Sequence, residues 1–125
     1  MIIKRGMSVL NQLTNKATEK LSPFKTLTTE QENLVNSITE FAAKHLNNNF
    51  PAIYTIYGDA GTGKSVVLSN LFERFQQSAR QNPTSPFFKT KNYFLVNHPE
   101  ILKVYREIAG PIKGLYKKDF TRPTS

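Results

Sequence analysis

The sequence contains no cysteine, and it has only 9 acidic residues against 17 lysines and arginines. The absence of cysteine excludes disulfide bridges and metal sites built from thiolates. All apolar runs fall short of the ~20 residues that a membrane-spanning helix needs, and residues 1–6 lack the apolar core of a secretory signal. We therefore expect a cytoplasmic protein without a membrane partner.

The shortage of acidic residues gives a formal net charge of +8 over 125 residues. A chain of this length suits one small domain. A basic balance favours polyanionic partners such as DNA or RNA, although solubilising surface charge explains the same balance equally well. Net charge alone therefore leaves the partner open.

Residues 58–65 match the pattern G-x-x-x-x-G-K-[S/T] at every fixed position. This pattern predicts a P-loop, in which glycines leave backbone N–H groups open to a phosphate chain. Lys64 would act as the catalytic point charge on the β- and γ-phosphates, and the Ser65 hydroxyl would ligate Mg²⁺. The predicted nucleotide-binding residues of the loop are Gly58, Asp59, Ala60, Gly61, Thr62, Gly63, Lys64, Ser65 and Val66.

The loop has the flanks that a P-loop requires, a strand before it and a helix after it. Residues 52–57 predict a buried strand, and residues 65–77 predict an amphipathic helix. On this helix, Leu68 and Phe72 are expected to face the core, whereas Gln76 is expected to face solvent. The pattern therefore indicates an α/β fold of the P-loop NTPase class.

Further elements are predicted on both sides of the loop. Residues 27–46 predict a helix with two overlapping capping boxes at its start. Residues 93–96 predict a strand buried on both faces, and a helix follows from Pro99 to Gly110. We expect residues 1–26 to form a lead-in with helical spacing and residues 27–125 to form the N-terminal part of an ATPase domain.

The C-terminal residues 112–125 predict neither a helix nor a strand. Basic residues alternate there with aromatic ones, which suits a contact with nucleic acid, but an unordered segment explains the same composition equally well. The residues of this pattern are Lys113, Tyr116, Lys117, Lys118, Phe120 and Arg122.

Hydrolysis by a P-loop ATPase needs a second carboxylate, usually at the end of a neighbouring strand. The predicted strand at residues 93–96 is followed by Asn97 and His98, and the more economical interpretation of both is a helix cap. We therefore expect this chain to bind nucleotide without hydrolysing it alone. Two predicted strands also leave open sheet edges, through which the chain could associate.

Residues 27–31, 53–65 and 93–100 together resemble the start of a superfamily-1 type helicase core. The closest resemblance is to the Schlafen group 3-like DNA/RNA helicase domain family. It implies an incomplete RecA-like parallel sheet with flanking helices, with ATP and Mg²⁺ as cofactors and DNA or RNA as partner. Gln31 would then recognise adenine, a role that is compatible with a capping-box role, and Ala60 distinguishes the loop from the Gly-Pro-Pro form of many AAA+ ATPases.

Three functions follow from the sequence. The first is the ATP- and Mg²⁺-binding part of a helicase-like ATPase that acts on DNA or RNA. The second is a non-catalytic nucleotide-binding module that regulates a partner. The third, a P-loop kinase, ranks last because the sequence shows neither an acceptor site nor a lid.

Overall fold

The computed structural model describes residues 21–58 and 63–123. Three α-helices lie wholly within these residues: α1 (Thr29–His45), α2 (Lys64–Gln81) and α3 (Pro99–Ala109). Two short strands, β1 (Phe94–Leu95) and β2 (Phe120–Thr121), pair in parallel, and a 3₁₀ turn at Lys117–Asp119 leads into β2. This is a small α/β arrangement.

The predicted helical lead-in at residues 1–26 lies almost entirely outside the described residues. None of the described helices is long and apolar enough to cross a membrane.

A capping box starts α1 and resolves the ambiguity at its beginning. The Thr28 hydroxyl accepts from the backbone N–H of Gln31 at 3.1 Å, and the Gln31 side-chain oxygen accepts from the backbone N–H of Thr28 at 2.9 Å. Because both reciprocal bonds form, the helix begins at Thr29. The predicted helix is therefore confirmed, with its start set by Thr28.

Helix α2 packs on α1 through aliphatic side chains. Val35 of α1 is fully buried against Val67 and Leu71 of α2. An ion pair between Arg74 and Glu32, with N–O distances of 3.1 and 3.3 Å, closes the same contact at the surface. Since both partners of this pair are exposed, the aliphatic packing supplies most of the stabilisation.

Helix α2 also packs on the sheet. The Phe72 ring lies edge-on to Phe94 of β1 and Phe120 of β2, with ring centroids 5.4 and 5.1 Å apart. Tyr105 and Ala109 of α3 complete this second core. Aromatic pairs in this edge-to-face geometry add roughly 1 kcal/mol each to the free energy of area burial.

The prediction that one stripe of α2 faces the core is wrong at two positions. Leu68 is 42% exposed, whereas Gln76 is only 1% exposed. Gln76 exchanges hydrogen bonds with Asn92, donating to the Asn92 carbonyl at 3.1 Å and accepting from the Asn92 side chain at 3.2 Å. The segment before β1 therefore covers a polar side of α2 and satisfies the amide that it buries.

The predicted strand at residues 52–57 is also wrong. These residues form no strand in the structure, and Ile53 and Tyr57 are 82% and 89% exposed. A strand needs a neighbouring strand for its hydrogen bonds, and within the described residues β1 and β2 pair only with each other. The strand at residues 93–96 is confirmed only in part, because it is reduced to β1 and Leu95 is 56% exposed.

The C-terminal residues are ordered against the rest of the fold, contrary to the prediction that they lack a strand. The backbone N–H of Val96 donates to the Thr121 carbonyl at 2.9 Å and extends the pairing of β1 with β2. Arg106 of α3 donates twice to the Phe120 carbonyl, at 3.0 and 2.9 Å. β2 thus closes the described sheet, and the sequence missed it because β2 has only two residues.

An ion pair between the buried Asp119 and the partly exposed Arg80 joins this segment to the end of α2. Arg80 donates to both carboxylate oxygens of Asp119, at 2.6 and 2.8 Å, and also to the Gly114 carbonyl at 2.7 Å. Burial alone would raise the pKa of Asp119, but the hydrogen bonds from Arg80 and from the Tyr116 backbone hold it below its ordinary value. The folded state therefore favours the carboxylate.

We expect Asp119→Asn to lower the free energy of unfolding by about 2 kcal/mol at pH 7, because it removes the charge-assisted hydrogen bonds between a buried carboxylate and the partly exposed Arg80. Since the pKa of Asp119 is lowered, its stabilisation is present above the ordinary pKa of 3.8 and is lost as the pH falls below that value. Urea denaturation at several pH values measures both effects. Glu32→Gln, which breaks the exposed pair with Arg74, is the control and should cost less than ~1 kcal/mol. Equal losses for the two variants would contradict this account.

Candidate functional site

The structure describes six of the predicted site residues: Gln31, Gly58, Gly63, Lys64, Ser65 and Val66. The other four, Asp59, Ala60, Gly61 and Thr62, lie outside the described residues. The two ends of the loop are therefore defined, together with the helix that follows it. The geometry of these ends decides which of the predicted residues are brought together.

Gly63 is the residue that turns the loop into α2. It has a left-handed conformation, with φ +86° and ψ 15°, and it is the N-cap of the helix without a side-chain cap. No acidic residue occupies the first turn of α2, and Lys64 stands at its first position. A cation at the positive end of a helix dipole is unfavourable by itself, so this helix start favours an anion as its partner.

Lys64 reaches back across the loop. Its ammonium group donates to the carbonyl of Gly58, which joins the two ends of the loop. The Ser65 side chain is exposed, whereas Val66 is only 4% exposed and packs in the core. Of the predicted residues in the first turn, Lys64 and Ser65 therefore present polar groups to a ligand, and Val66 offers only its backbone.

Gln31 lies directly against Gly63, although the two residues belong to different helices. The Gln31 amide nitrogen contacts the position where a Cβ atom of residue 63 would stand. The Gln31 oxygen is held by the Thr28 backbone N–H, so the capping box orients the amide nitrogen towards the loop. The structure thus brings together the residue predicted to recognise adenine and the end of the loop predicted to bind phosphate.

Tyr105 is a residue near the site that the sequence did not identify. Burial raises the pKa of its phenol, while the hydroxyls of Ser69 and Ser65 lie beside the phenol and oppose that rise. Among the described residues, the buried Ser69 hydroxyl has no hydrogen-bond partner of normal geometry, so it lies near the Tyr105 phenol without forming a well-aligned hydrogen bond. The sequence feature that could have identified Tyr105 is its hydroxyl, which is the one polar group on the otherwise apolar face of α3.

The polar residues after β1 serve the fold. The His98 ring accepts from the backbone N–H of Ile101 at 3.3 Å and caps α3, as predicted. Asn97 accepts from Arg122 at 3.3 Å. The buried carboxylate of Asp119 is bound to Arg80, which lies roughly 24 Å along α2 from Lys64 at ~1.5 Å per residue. Asp119 therefore belongs to the opposite end of α2.

Ser65 is the described side chain that fits a magnesium ion at the loop. Its exposed hydroxyl is an oxygen donor at the first turn of α2, and Mg²⁺ commonly takes its remaining ligands from water and substrate phosphates. Within residues 21–58 and 63–123, no group of three or more His, Asp or Glu side chains is placed to hold a metal ion.

The comparisons agree with the class of protein that the sequence indicated. The model of the Schlafen group 3, DNA/RNA helicase domain family matches residues 51–125, which is more than half of the chain. The chain therefore belongs to this family, and the resemblance noted in the sequence is confirmed.

One relative of this chain is a considerably longer protein. An uncharacterized protein of Saccharomyces cerevisiae is 40% identical over 120 residues, which cover 90% of this chain and 26% of the relative. The chain thus spans about a quarter of the length of that relative. No solved structure matches the chain.

We expect Gly63→Ala to lower the free energy of unfolding by about 1–2 kcal/mol, because its positive φ strains any side chain and a Cβ would collide with the Gln31 amide. Gly110→Ala is the matched control. Gly110 has a right-handed helical conformation, and the nearest neighbours of its Cβ would be the flexible end of Lys117 at 3.4 Å and the Glu107 carbonyl at 3.5 Å, which are ordinary contact distances. Thermal unfolding of the two variants measures the difference, and a Gly63→Ala variant as stable as Gly110→Ala would refute the contact.

Proposed function

We propose that residues 58–65 bind the triphosphate of ATP together with Mg²⁺, as the P-loop of an NTPase domain with RecA-like topology. Residues 27–125 form the N-terminal part of that domain, and residues 1–26 lead into it. In a longer protein the domain belongs to a helicase-like ATPase that acts on DNA or RNA. Membership of the Schlafen group 3 family supports this proposal.

The observation that carries the proposal is the contact between Gln31 and Gly63. The capping box uses the Gln31 side-chain oxygen, and the amide nitrogen remains available to a ligand beside the end of the loop. A nucleotide needs a phosphate site and a base site within one molecule's length of each other. Gln31 and Gly63, our candidates for the base site and the phosphate site, lie next to each other at the start of α2, which supports the proposal.

Each described residue of the loop has a distinct role in this proposal. The first N–H groups of α2 would bind phosphate oxygens, aided by the helix dipole. Lys64 would exchange its bond with the Gly58 carbonyl for bonds with the β- and γ-phosphates. The Ser65 hydroxyl would hold Mg²⁺, which neutralises part of the triphosphate charge when bound.

Gln31 would recognise the base. A glutamine amide pairs with adenine by donating to N7 and accepting from the N6 amino group. The amide oxygen already accepts from Thr28 but has a second lone pair, and the amide nitrogen faces the loop. The capping box therefore prepares the side chain for its role before nucleotide binds.

We expect Lys64→Ala to abolish Mg²⁺-dependent ATP binding, measured by isothermal titration calorimetry on the full 125-residue chain. The variant removes the charge that contacts the transferred phosphate. Lys91→Ala removes the same charge at an exposed position before β1 and should bind ATP as the unaltered chain does. If the two variants bind ATP equally well, Lys64 is not a phosphate ligand.

We expect Gln31→Glu to weaken ATP binding roughly tenfold, because it removes the amide donor to the base. The variant should keep its stability, since glutamate is equally suited to this position of a capping box. Magnesium tripolyphosphate, which lacks the base, serves as the control ligand in the same calorimeter. A similar loss of affinity for tripolyphosphate would show that the added charge is responsible and that Gln31 does not contact adenine.

A further inference from the structure

A concave surface lies between α3 and the segment that carries β2, and we call it the α3 groove. Its volume is about 450 Å³. Four cationic side chains line it: Lys103, Arg106, Lys117 and Arg122. Pro99 and the buried Leu102 add an apolar part of the lining, and Glu107 is its single acidic residue.

The four cations of the α3 groove are not neutralised by carboxylates of the chain. In the part of the chain that the structure describes, ion pairs join Arg74 to Glu32 and Arg80 to Asp119, and none involves a cation of the groove. Four positive charges against one negative charge within one groove create a local positive potential. Such a groove is suited to a ligand with several negative charges.

Two of the cations are held in place by the fold. Arg106 uses two N–H groups on the Phe120 carbonyl, which leaves three of its five donors free. Arg122 donates to the Asn97 side chain at 3.3 Å. A guanidinium that is already oriented loses less conformational entropy on binding an oxyanion, so these contacts favour binding.

We infer that the α3 groove binds the phosphodiester backbone of a single DNA or RNA strand. Four cations in one groove suit a ligand that carries several phosphates better than an anion with a single charge. None of the described lining residues is aromatic, so binding would use phosphate contacts without base stacking and would be independent of sequence. The inference rests on the part of the proposed function that assigns the chain a nucleic-acid partner.

The structure separates basic residues that the sequence had grouped in one C-terminal pattern. Of the three lysines noted in the C-terminal residues, Lys117 lines the α3 groove. Lys113 lines a separate cavity beside Gly110, and Lys118 lies over the Tyr116 ring at 5.5 Å. Lys113 and Lys118 therefore provide a control with the same charge, in the same segment, outside the groove.

The test measures binding of a fluorescent oligothymidylate and a fluorescent oligouridylate, each of about 20 nucleotides, to the full chain by anisotropy at several salt concentrations. We expect Lys103→Gln combined with Lys117→Gln to weaken binding of at least one strand roughly tenfold and to reduce the slope of log K against log[salt] by about 1.4. Lys113→Gln combined with Lys118→Gln should leave both the affinity and the slope unchanged.

Three results would overturn the inference. The first is no binding of either strand, and the second is equal weakening by the groove and control variants, which would indicate attraction by net charge alone. The third is displacement of the strand by inorganic phosphate at the same concentration of phosphate groups, which would make the groove a site for single anions.

A cross-check separates this inference from nucleotide binding at the loop. The groove variant should bind Mg²⁺-ATP as the unaltered chain does, and Lys64→Ala should bind the strand normally. Normal ATP binding without strand binding would refute the groove alone. Strand binding that depends on the groove, without ATP binding, would support the groove and refute the proposed nucleotide site.

Discussion

The fold depends on one constraint, which is that α2 must be covered on several sides at once. Val67 and Leu71 are buried against α1, Phe72 is buried against both strands, and Gln76 is buried under the segment before β1. A two-stranded sheet has little stability of its own. Helix α2 therefore connects α1 to the sheet, and Arg80 extends its contacts to the segment that carries β2.

This central position connects the core to the proposed nucleotide site. The same helix that carries Phe72 into the core begins at Gly63, next to Gln31 and Lys64. Because Val66 and Val67 are buried directly after the loop, the first turn of α2 has a fixed position relative to α1. A phosphate site built on such a helix start needs little rearrangement to bind its ligand, which lowers the entropic cost of binding.

The exposed apolar residues have a physical explanation in this arrangement. Ile53, Tyr57, Leu68 and Leu95 are all more than a third exposed, and the first two belong to a sequence that is typical of a strand. No neighbouring element within the described residues covers these four side chains.

Features that depend on neighbouring residues were predicted well. The capping box at Thr28 and the cap at His98 involve bonds between residues three positions apart. Such bonds form wherever the local sequence permits them, so a single sequence suffices to predict them. The end of α2 was predicted less well, because the helix continues to Gln81 instead of ending near residue 77. The predictions were wrong where burial depends on residues far away in the sequence. Leu68 is exposed, and Gln76 is buried because Asn92 forms hydrogen bonds with its amide.

The sequence by itself determined the helices, the loop pattern at residues 58–65 and the family to which the chain belongs. The tertiary structure decided which strands pair, where Gln31 points, and which cations share the α3 groove. The physical reason is the distance along the chain. Helix caps and loop motifs are encoded within a few residues, whereas the contacts of Gln31 with Gly63 and of Arg106 with Phe120 form only when separate elements have packed together.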